Sequence, residues 1–312
     1  DKILENNQVI FKADYTLSFQ FWKRAFLHPE TGVFAGKIVI LDINLSKDFI
    51  EETNTNFYTI DEDYIHSIYK KRDEFSHKGT YGKAIIVGGG YGKIGAVVLA
   101  TKSALRSGSG LTFVCAPNCG YDILQISCPE AMFIYGGDNE ISVIDIDDSK
   151  TYGIGPGMGT DEQTKVALVE FLSSSTKPVI LDADALNLLA QNPDMIKQVM
   201  HRQAETLLTP HPGEAARLLG CSIAEIQQDR LAACHALRQR YHCHILLKGA
   251  GSLIMQQSGY YHLNPNGNPG MASAGQGDVL SGVIGGLVAQ GLPLFTAATL
   301  AAHVHATAGD QL

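Results

Sequence analysis

The sequence of 312 residues lacks several features that would narrow its role at once. No run of about 18 apolar residues occurs, so no transmembrane helix is expected. Its start, DKILENNQVIFKADY, has no apolar core of the signal-peptide kind, which makes a cytoplasmic location the default. No block of lysine and arginine stands out. With 24 basic and 32 acidic residues the formal charge is −8, which argues against nucleic acid as a partner. An anionic ligand would then need local positive potential, from a few Lys or Arg side chains or from helix N-termini. The six cysteines (Cys115, Cys119, Cys128, Cys221, Cys234 and Cys243) form no C-x-x-C pair, so free thiols in a reducing compartment are expected. The segment His242-Cys243-His244 precedes an apolar run and reads as alternating strand residues, not as a metal site. No serine-hydrolase elbow, H-E-x-x-H helix or Cys–His dyad signature is present.

What is present is the profile of a globular α/β protein: 45% apolar residues, 18% charged residues and 32 glycines. From about residue 76, apolar runs alternate with helical spacing. AIIVGGG (84–90) reads as a strand ending in glycines, GAVVLATKSALRSG (95–108) as a helix and LTFVCAP (111–117) as the next strand. YGIGPGMG (152–159), EQTKVALVEFLSS (162–174), KPVILDADALNLLA (177–190) and ETLLTPHPGEAARLLG (205–220) continue the alternation. IAEIQQDRLAACHALRQRY (223–241) reads as one long helix and HILLKGAGSLIMQQSGYYHL (244–263) as two strands joined by a glycine turn. Two apolar helices, 278–292 and 294–309, close the pattern, which predicts a mostly parallel sheet. Residues 1–70 differ in texture. They hold the single Trp22, a possible strand at 37–45 and a polar stretch, 46–56, that reads as a linker or crossing loop. The chain begins at Asp1 and ends directly after a helical pattern, and so reads as part of a longer protein.

Glycine loops and acidic residues recur at the carboxyl ends of the expected strands, the edge where open parallel sheets bind ligands. In NGNPGMASAGQGDVLSG (266–282), Gly275 and Gly277 precede a helix whose first turn carries Asp278. Such glycines let backbone N–H groups approach an anion, and Asp278 can serve as general base beside it or simply cap the helix. In LLKGAGSLI (246–254), Lys248 and the small residues Gly249, Ala250, Gly251 and Ser252 form either a nucleotide-holding turn or an ordinary hairpin. TPHPGEAARLLG projects His211 and Glu214 at a helix start, as a helix entry or as a substrate contact. Asp182 and Asp184 in LDADALN can orient Mg²⁺ through water or cap a helix. Gly90, Gly92 and Gly95 form a G-x-G-x-x-G, but the next strand ends at Ala116-Pro117 with no acidic residue, so a Rossmann site is not supported. Gly92-Lys93-Ile94 is not a Walker A loop either. GPGMG (155–159) is a further strand end shaped for backbone contact.

In order along the chain, HKGTYGKAIIVGGG, GAVVLATKSALRSGSG, GPGMG, LDADALN, TPHPGEAARLLG, LKGAGSLI and NPGMASAGQGDVLSG resemble the ADP/ATP-dependent NAD(P)H-hydrate dehydratases of the ribokinase-like superfamily. The resemblance covers about residues 76–312. It implies a three-layer α/β/α fold with a mostly parallel central sheet, a homo-oligomer (often a tetramer), and ADP, possibly ATP, as co-substrate with Mg²⁺. It also implies roles. Ala96, Gly157, Gly159 and His211 would contact the hydrated nicotinamide nucleotides NADHX and NADPHX. Lys248, Gly249, Ala250, Gly251, Ser252, Gly275 and Gly277 would hold the adenine nucleotide, and Asp278 would face the substrate as catalytic acid/base. Members more commonly carry Thr at the position of Gln276 and Thr-Gly at Ser273-Ala274, which leaves the role there to the backbone. FKADYTLSF and FAGKIVILDINL resemble the tail of the epimerase domain that often precedes the dehydratase. The expected organisation is therefore an epimerase-like tail and linker over 1–70, without epimerase activity of its own, and a dehydratase domain over 71–312. A small-molecule kinase on the same fold would share the G-x-G-D site, and a nucleotide-binding regulatory module would keep the fold without turnover. The HPGE and LDADALN segments favour the dehydratase over the kinase, and the intact Asp278 speaks against the module.

Overall fold

A computed structural model of the protein describes residues 10–147 and 150–312. Most of the DKILENNQVIFKADY start that was read for a signal peptide lies outside the described residues. Two strands, β1 (Tyr15–Phe19) and β2 (Lys37–Leu41), pair in parallel as a separate two-stranded sheet. The remaining strands are β3 (Phe57–Thr59), β4 (Lys83–Val87), β5 (Leu111–Ala116), β6 (Met132–Tyr135), β7 (Thr151–Ile154), β8 (Val179–Leu181), β9 (Thr206–Leu208), β10 (His244–Leu247), β11 (Ser252–Met255) and β12 (Tyr261–Asn264). They form a ten-stranded sheet in the order β3-β12-β11-β10-β9-β8-β7-β4-β5-β6. All neighbours run parallel except β10–β11 and β11–β12.

The sheet is buried on both faces, which is why its strands read as continuous apolar runs. Leu181, Leu208, Ile245 and Leu247 face a core shared with the helices Glu162–Ser174, Asp184–Gln191, Pro212–Leu219 and Arg230–Tyr241. Their neighbours Ile180, Leu207 and Leu246 face the opposite side, against Gln276–Ala289 and Leu294–Asp310. Ile86 and Val114 pack with the helix Ile94–Arg106. The three-layer α/β/α arrangement expected from the sequence is thus the one observed.

Several local readings need correction. The polar stretch 46–56 contains a helix, Lys47–Glu52, started by Ser46, whose hydroxyl accepts the Phe49 N–H at 3.3 Å. It buries no side chain, so it carries no apolar stripe to betray it. The single helix expected over 223–241 is broken at Asp229, which leaves helical geometry (φ −148°, ψ 86°) and accepts the Ala232 N–H at 2.9 Å to start a second helix. The segment 244–263 holds three strands, not two, because Gly259 makes a second turn at φ +99°. His242 is not a strand residue; it ends the preceding helix in the left-handed region, and only His244 enters β10. The sheet also begins before the change of texture near residue 70, since Phe57–Thr59 pairs in parallel with β12 and Ile60 is buried beneath it. All six cysteines are free, with Cys119 and Cys221 partly exposed and the others buried. Among the described residues no helix is long and apolar enough to cross a membrane.

Candidate active site at the carboxyl edge of the sheet

The neighbouring strands β10, β9, β8, β7 and β4 all run parallel, so their carboxyl ends deliver their loops to one edge. β10 leads to Lys248, β9 to His211, β8 to Asp182, β7 to Gly155–Gly159 and β4 to Gly88–Gly90. The helix Gln276–Ala289 brings its N-terminus to the same edge, packed on the helix Ile94–Arg106. Glycine makes that crossing close: a Cβ on Gly282 would lie 2.0 Å from the Ala100 carbonyl oxygen. The helix that carries Asp278 is thereby held against the helix that carries Ala96.

A buried ionic network occupies the centre. Asp182 is 1% exposed. Its Oδ1 accepts from Lys248 Nζ at 2.7 Å and its Oδ2 from Ser281 Oγ at 2.6 Å. Burial alone would raise the Asp182 carboxyl, but the charge and hydrogen bond of Lys248, with the hydroxyls of Ser281 and Thr209, hold it below the ordinary value. Burial likewise works against the Lys248 ammonium, and the carboxylates of Asp182, Glu214 and Asp278 prevail and raise it. Glu214 Oε2 stands 3.7 Å from Lys248 Nζ. Ala183, between the two aspartates, takes φ +48°, a conformation costly for a residue with a Cβ. Asp182, before it, is buried, and the Asp184 side chain, after it, is about one-fifth exposed (21%). Asp184 Oδ2 accepts the Gly159 N–H at 2.9 Å and lies 3.6 Å from Lys93 Nζ, and Oδ1 accepts from Asn187 Nδ2 at 3.1 Å.

Asp278 behaves in the opposite sense from Asp182. Burial first, then repulsion from Asp182 and Asp184, pushes its carboxyl up to about 6 against the pull of Lys248. Such a group is ionised at neutral pH yet basic enough to take a proton. His211 caps the helix Pro212–Leu219: its Nδ1 accepts the Gly213 N–H at 3.0 Å, and Glu214 returns the bond to the His211 N–H at 2.8 Å. Burial, followed by the charges of Lys248 and Arg217, lowers the imidazole below its ordinary value. A neutral ring with Nδ1 accepting carries its proton on Nε2, which stands 3.6 Å from Glu214 Oε1 in a half-exposed side chain.

The structure brings most of the sequence-derived residues together. A Cβ on Gly277 would lie 3.2 Å from Lys248 Nζ. One on Gly157 would lie 3.1 Å from the Ala96 Cβ. Gly275 precedes the Asp278 helix at φ +91°, and Ser252 Oγ closes the 248–252 turn onto the Gly249 carbonyl at 3.0 Å. Gln276 is tied to the C-terminal helix through His305 Nε2 at 2.8 Å. Sequence reasoning missed Ser281, Thr209 and the buried Arg230. The spacing of Asp278 and Ser281, which places both on one helical face, was the available signal for Ser281. Lys248 and Ser281 each bond one Asp182 oxygen, and the remaining lone pairs leave room for Mg²⁺ held through water. Asp184 has bonds on both oxygens, and no group of three or more metal-ligating side chains occurs among the described residues.

A family model described as NAD(P)H-hydrate dehydratase matches residues 84–312. The chain is 36% identical over 305 residues to a bifunctional NAD(P)H-hydrate repair enzyme of Coxiella burnetii, covering 96% of this chain and 60% of that one. It is 38% identical over 250 residues to an ADP-dependent (S)-NAD(P)H-hydrate dehydratase of Neisseria meningitidis, covering 78% and 82%. The fold is similar to the crystal structure of the ADP/ATP-dependent NAD(P)H-hydrate dehydratase of Bacillus subtilis co-crystallised with ATP/Mg²⁺. That match has a TM-score of 0.71 and 28% identity, and covers 83% of this chain and 90% of the other. The chain thus spans about three-fifths of the length of the bifunctional relative.

Proposed function

The chain belongs to the NAD(P)H-hydrate dehydratase family, and we propose that it restores NADHX and NADPHX to NADH and NADPH with ADP as co-substrate, releasing AMP and phosphate. The observation that carries the mechanism is Asp278: a carboxyl pushed up to about 6, in the first turn of a helix whose N-terminus adjoins Lys248. The hydrate bears a hydroxyl at C6 of its reduced ring, and hydroxide is a poor leaving group. Asp278 takes the hydroxyl proton as that oxygen attacks the terminal phosphorus of ADP. The bond from this phosphorus to the bridging oxygen breaks, and AMP departs. The ring nitrogen lone pair then expels phosphate, and loss of a proton from the adjacent carbon restores the dihydropyridine. The N–H groups that open the helix at Gly275–Gly277 stabilise the charge on the transferring phosphoryl. Mg²⁺ would come with the phosphates of the nucleotide and offset their negative charge.

In this reading Ala96, Gly157, Gly159 and His211 line the hydrate side, while Lys248–Ser252, Gly275 and Gly277 line the nucleotide side. The name of the Neisseria relative supports ADP, and that of the Bacillus enzyme extends the choice to ATP. A cytoplasmic location, an epimerase-like origin for residues 1–70, a dehydratase domain over 71–312 and a homo-oligomeric, tetrameric assembly complete the proposal. Light scattering of the purified chain tests the last of these. The activity is tested by incubating the chain with NADH hydrate, Mg²⁺ and either ADP or ATP while following recovery of the NADH absorbance. Recovery with ADP is expected, and Asp278→Asn should slow it by about 10²–10⁴-fold, the usual worth of a positioned base. No recovery with either nucleotide removes the proposal.

A further inference from the structure

We infer that Arg230, which lines neither the hydrate side nor the nucleotide side of the site, is the positioning residue that turns the Lys248–Ser252 loop into an anion cradle. This rests on the nucleotide reading of that loop. Arg230 is 2% exposed and opens the helix Arg230–Tyr241 behind the turn between β10 and β11. Its Nη2 donates to the carbonyls of Leu247 at 3.3 Å and Lys248 at 3.2 Å, and its Nη1 donates to the Ala250 carbonyl. One planar fork therefore gathers the carbonyls of a turn onto its inner side.

The consequence follows from peptide geometry. A trans peptide holds its C=O and N–H pointing in opposite directions. With the Lys248 and Ala250 oxygens drawn inward to Arg230, the N–H groups of Gly249 and Gly251 turn outward, away from the guanidinium. Outward N–H groups close together in a tight turn, here on the alternate residues Gly249 and Gly251, form an anion-binding concavity. Gly249 takes φ +141°, a conformation strained for any residue with a Cβ, and a Cβ there would lie 3.0 Å from Arg230 Nη2. The cradle directs donors at phosphate oxygens, and the buried cation behind it adds positive potential to a chain of charge −8.

The test uses the full chain with ADP as the probe. Arg230→Lys keeps the charge but loses the fork, and Arg230→Met loses both. Each should raise the KM for ADP by about tenfold or more through lost preorganisation, while the KM for the hydrate and kcat change by less than about threefold. Each should also lose the rise in Tm that the same ADP concentration gives the wild type. Where neither variant folds, Gly249→Ala decides, and it should show the same selective rise in the KM for ADP. A folded Arg230 variant whose ADP affinity is within about twofold of wild type overturns the inference. So does an equal rise in KM for both substrates, or a wild type whose Tm does not respond to ADP. A wild type that responds to ADP but regenerates no NADH overturns the proposed function alone, and the ADP shift still decides on Arg230.

Discussion

Two corners of the same sheet edge hold an aspartate, and their environments drive them apart. At the end of β8, Asp182 is sealed from water and held by Lys248 and Ser281, and its proton affinity falls. At the start of the helix Gln276–Ala289, Asp278 is half-buried with no ion-pair partner among the described residues, and its carboxyl rises to about 6. The residue type is the same and both feel Lys248. The difference lies in which of them holds the ammonium at hydrogen-bond distance. Carboxylates separated in this way divide the labour of a site: one orients a cation, and the other exchanges protons near neutral pH.

This contrast can be broken most severely from the Asp182 side. Asp182→Asn leaves Lys248 buried with Glu214 at 3.7 Å as its remaining close partner. Removing one partner of a buried pair should cost about 3 kcal/mol of stability, read from urea unfolding at pH 7. The lowered carboxyl gives the sign: its contribution is present above its ordinary value and lost as pH falls through the folded one.

The next effect is on the pH profile. Since Asp278 must be ionised to act, kcat/KM for the hydrate should fall about tenfold per pH unit below about 6 in the wild type. If enough Asp182→Asn protein folds, its acid limb should lie lower by about half a unit to one unit, because a repelling neighbour is gone. An unmoved limb would show that Asp182 does not set the basicity of Asp278.

The smallest effect is a gain. A carboxyl raised in the folded state opposes folding once pH exceeds its ordinary value. Asp278→Asn should therefore be more stable than wild type at pH 7 by about 1 kcal/mol, after allowance for its partial exposure, although it is inactive. Calorimetry of the two proteins checks this.

The molecule shows a similar contrast at larger scale. In the ten-stranded sheet, β4 and β8 are buried on both faces and were legible as apolar runs. In the separate pair, Tyr15, Leu17 and Phe19 of β1 are 65%, 64% and 61% exposed, although the same alternation marks them as one face of a strand. Helices with a packed stripe, such as Glu162–Ser174, were read to the residue. The exposed helix at Lys47–Glu52 and the break at Asp229 were not, because caps and single-residue geometry leave a weaker pattern than burial does.

By itself, the sequence determined the types of the elements that bury a run or a stripe, and which strand ends carry glycines, carboxylates and Lys248, because strand and helix periods and turn chemistry are local properties. It also placed Asp278 at a helix start. Only the tertiary structure decided which aspartate is a counter-ion and which is a base. Asp182 finds Lys248 66 residues away and Ser281 99 residues away. The proton affinity of a carboxyl depends on burial and on charges within a few ångströms, and neither is a property of neighbouring residues in the chain.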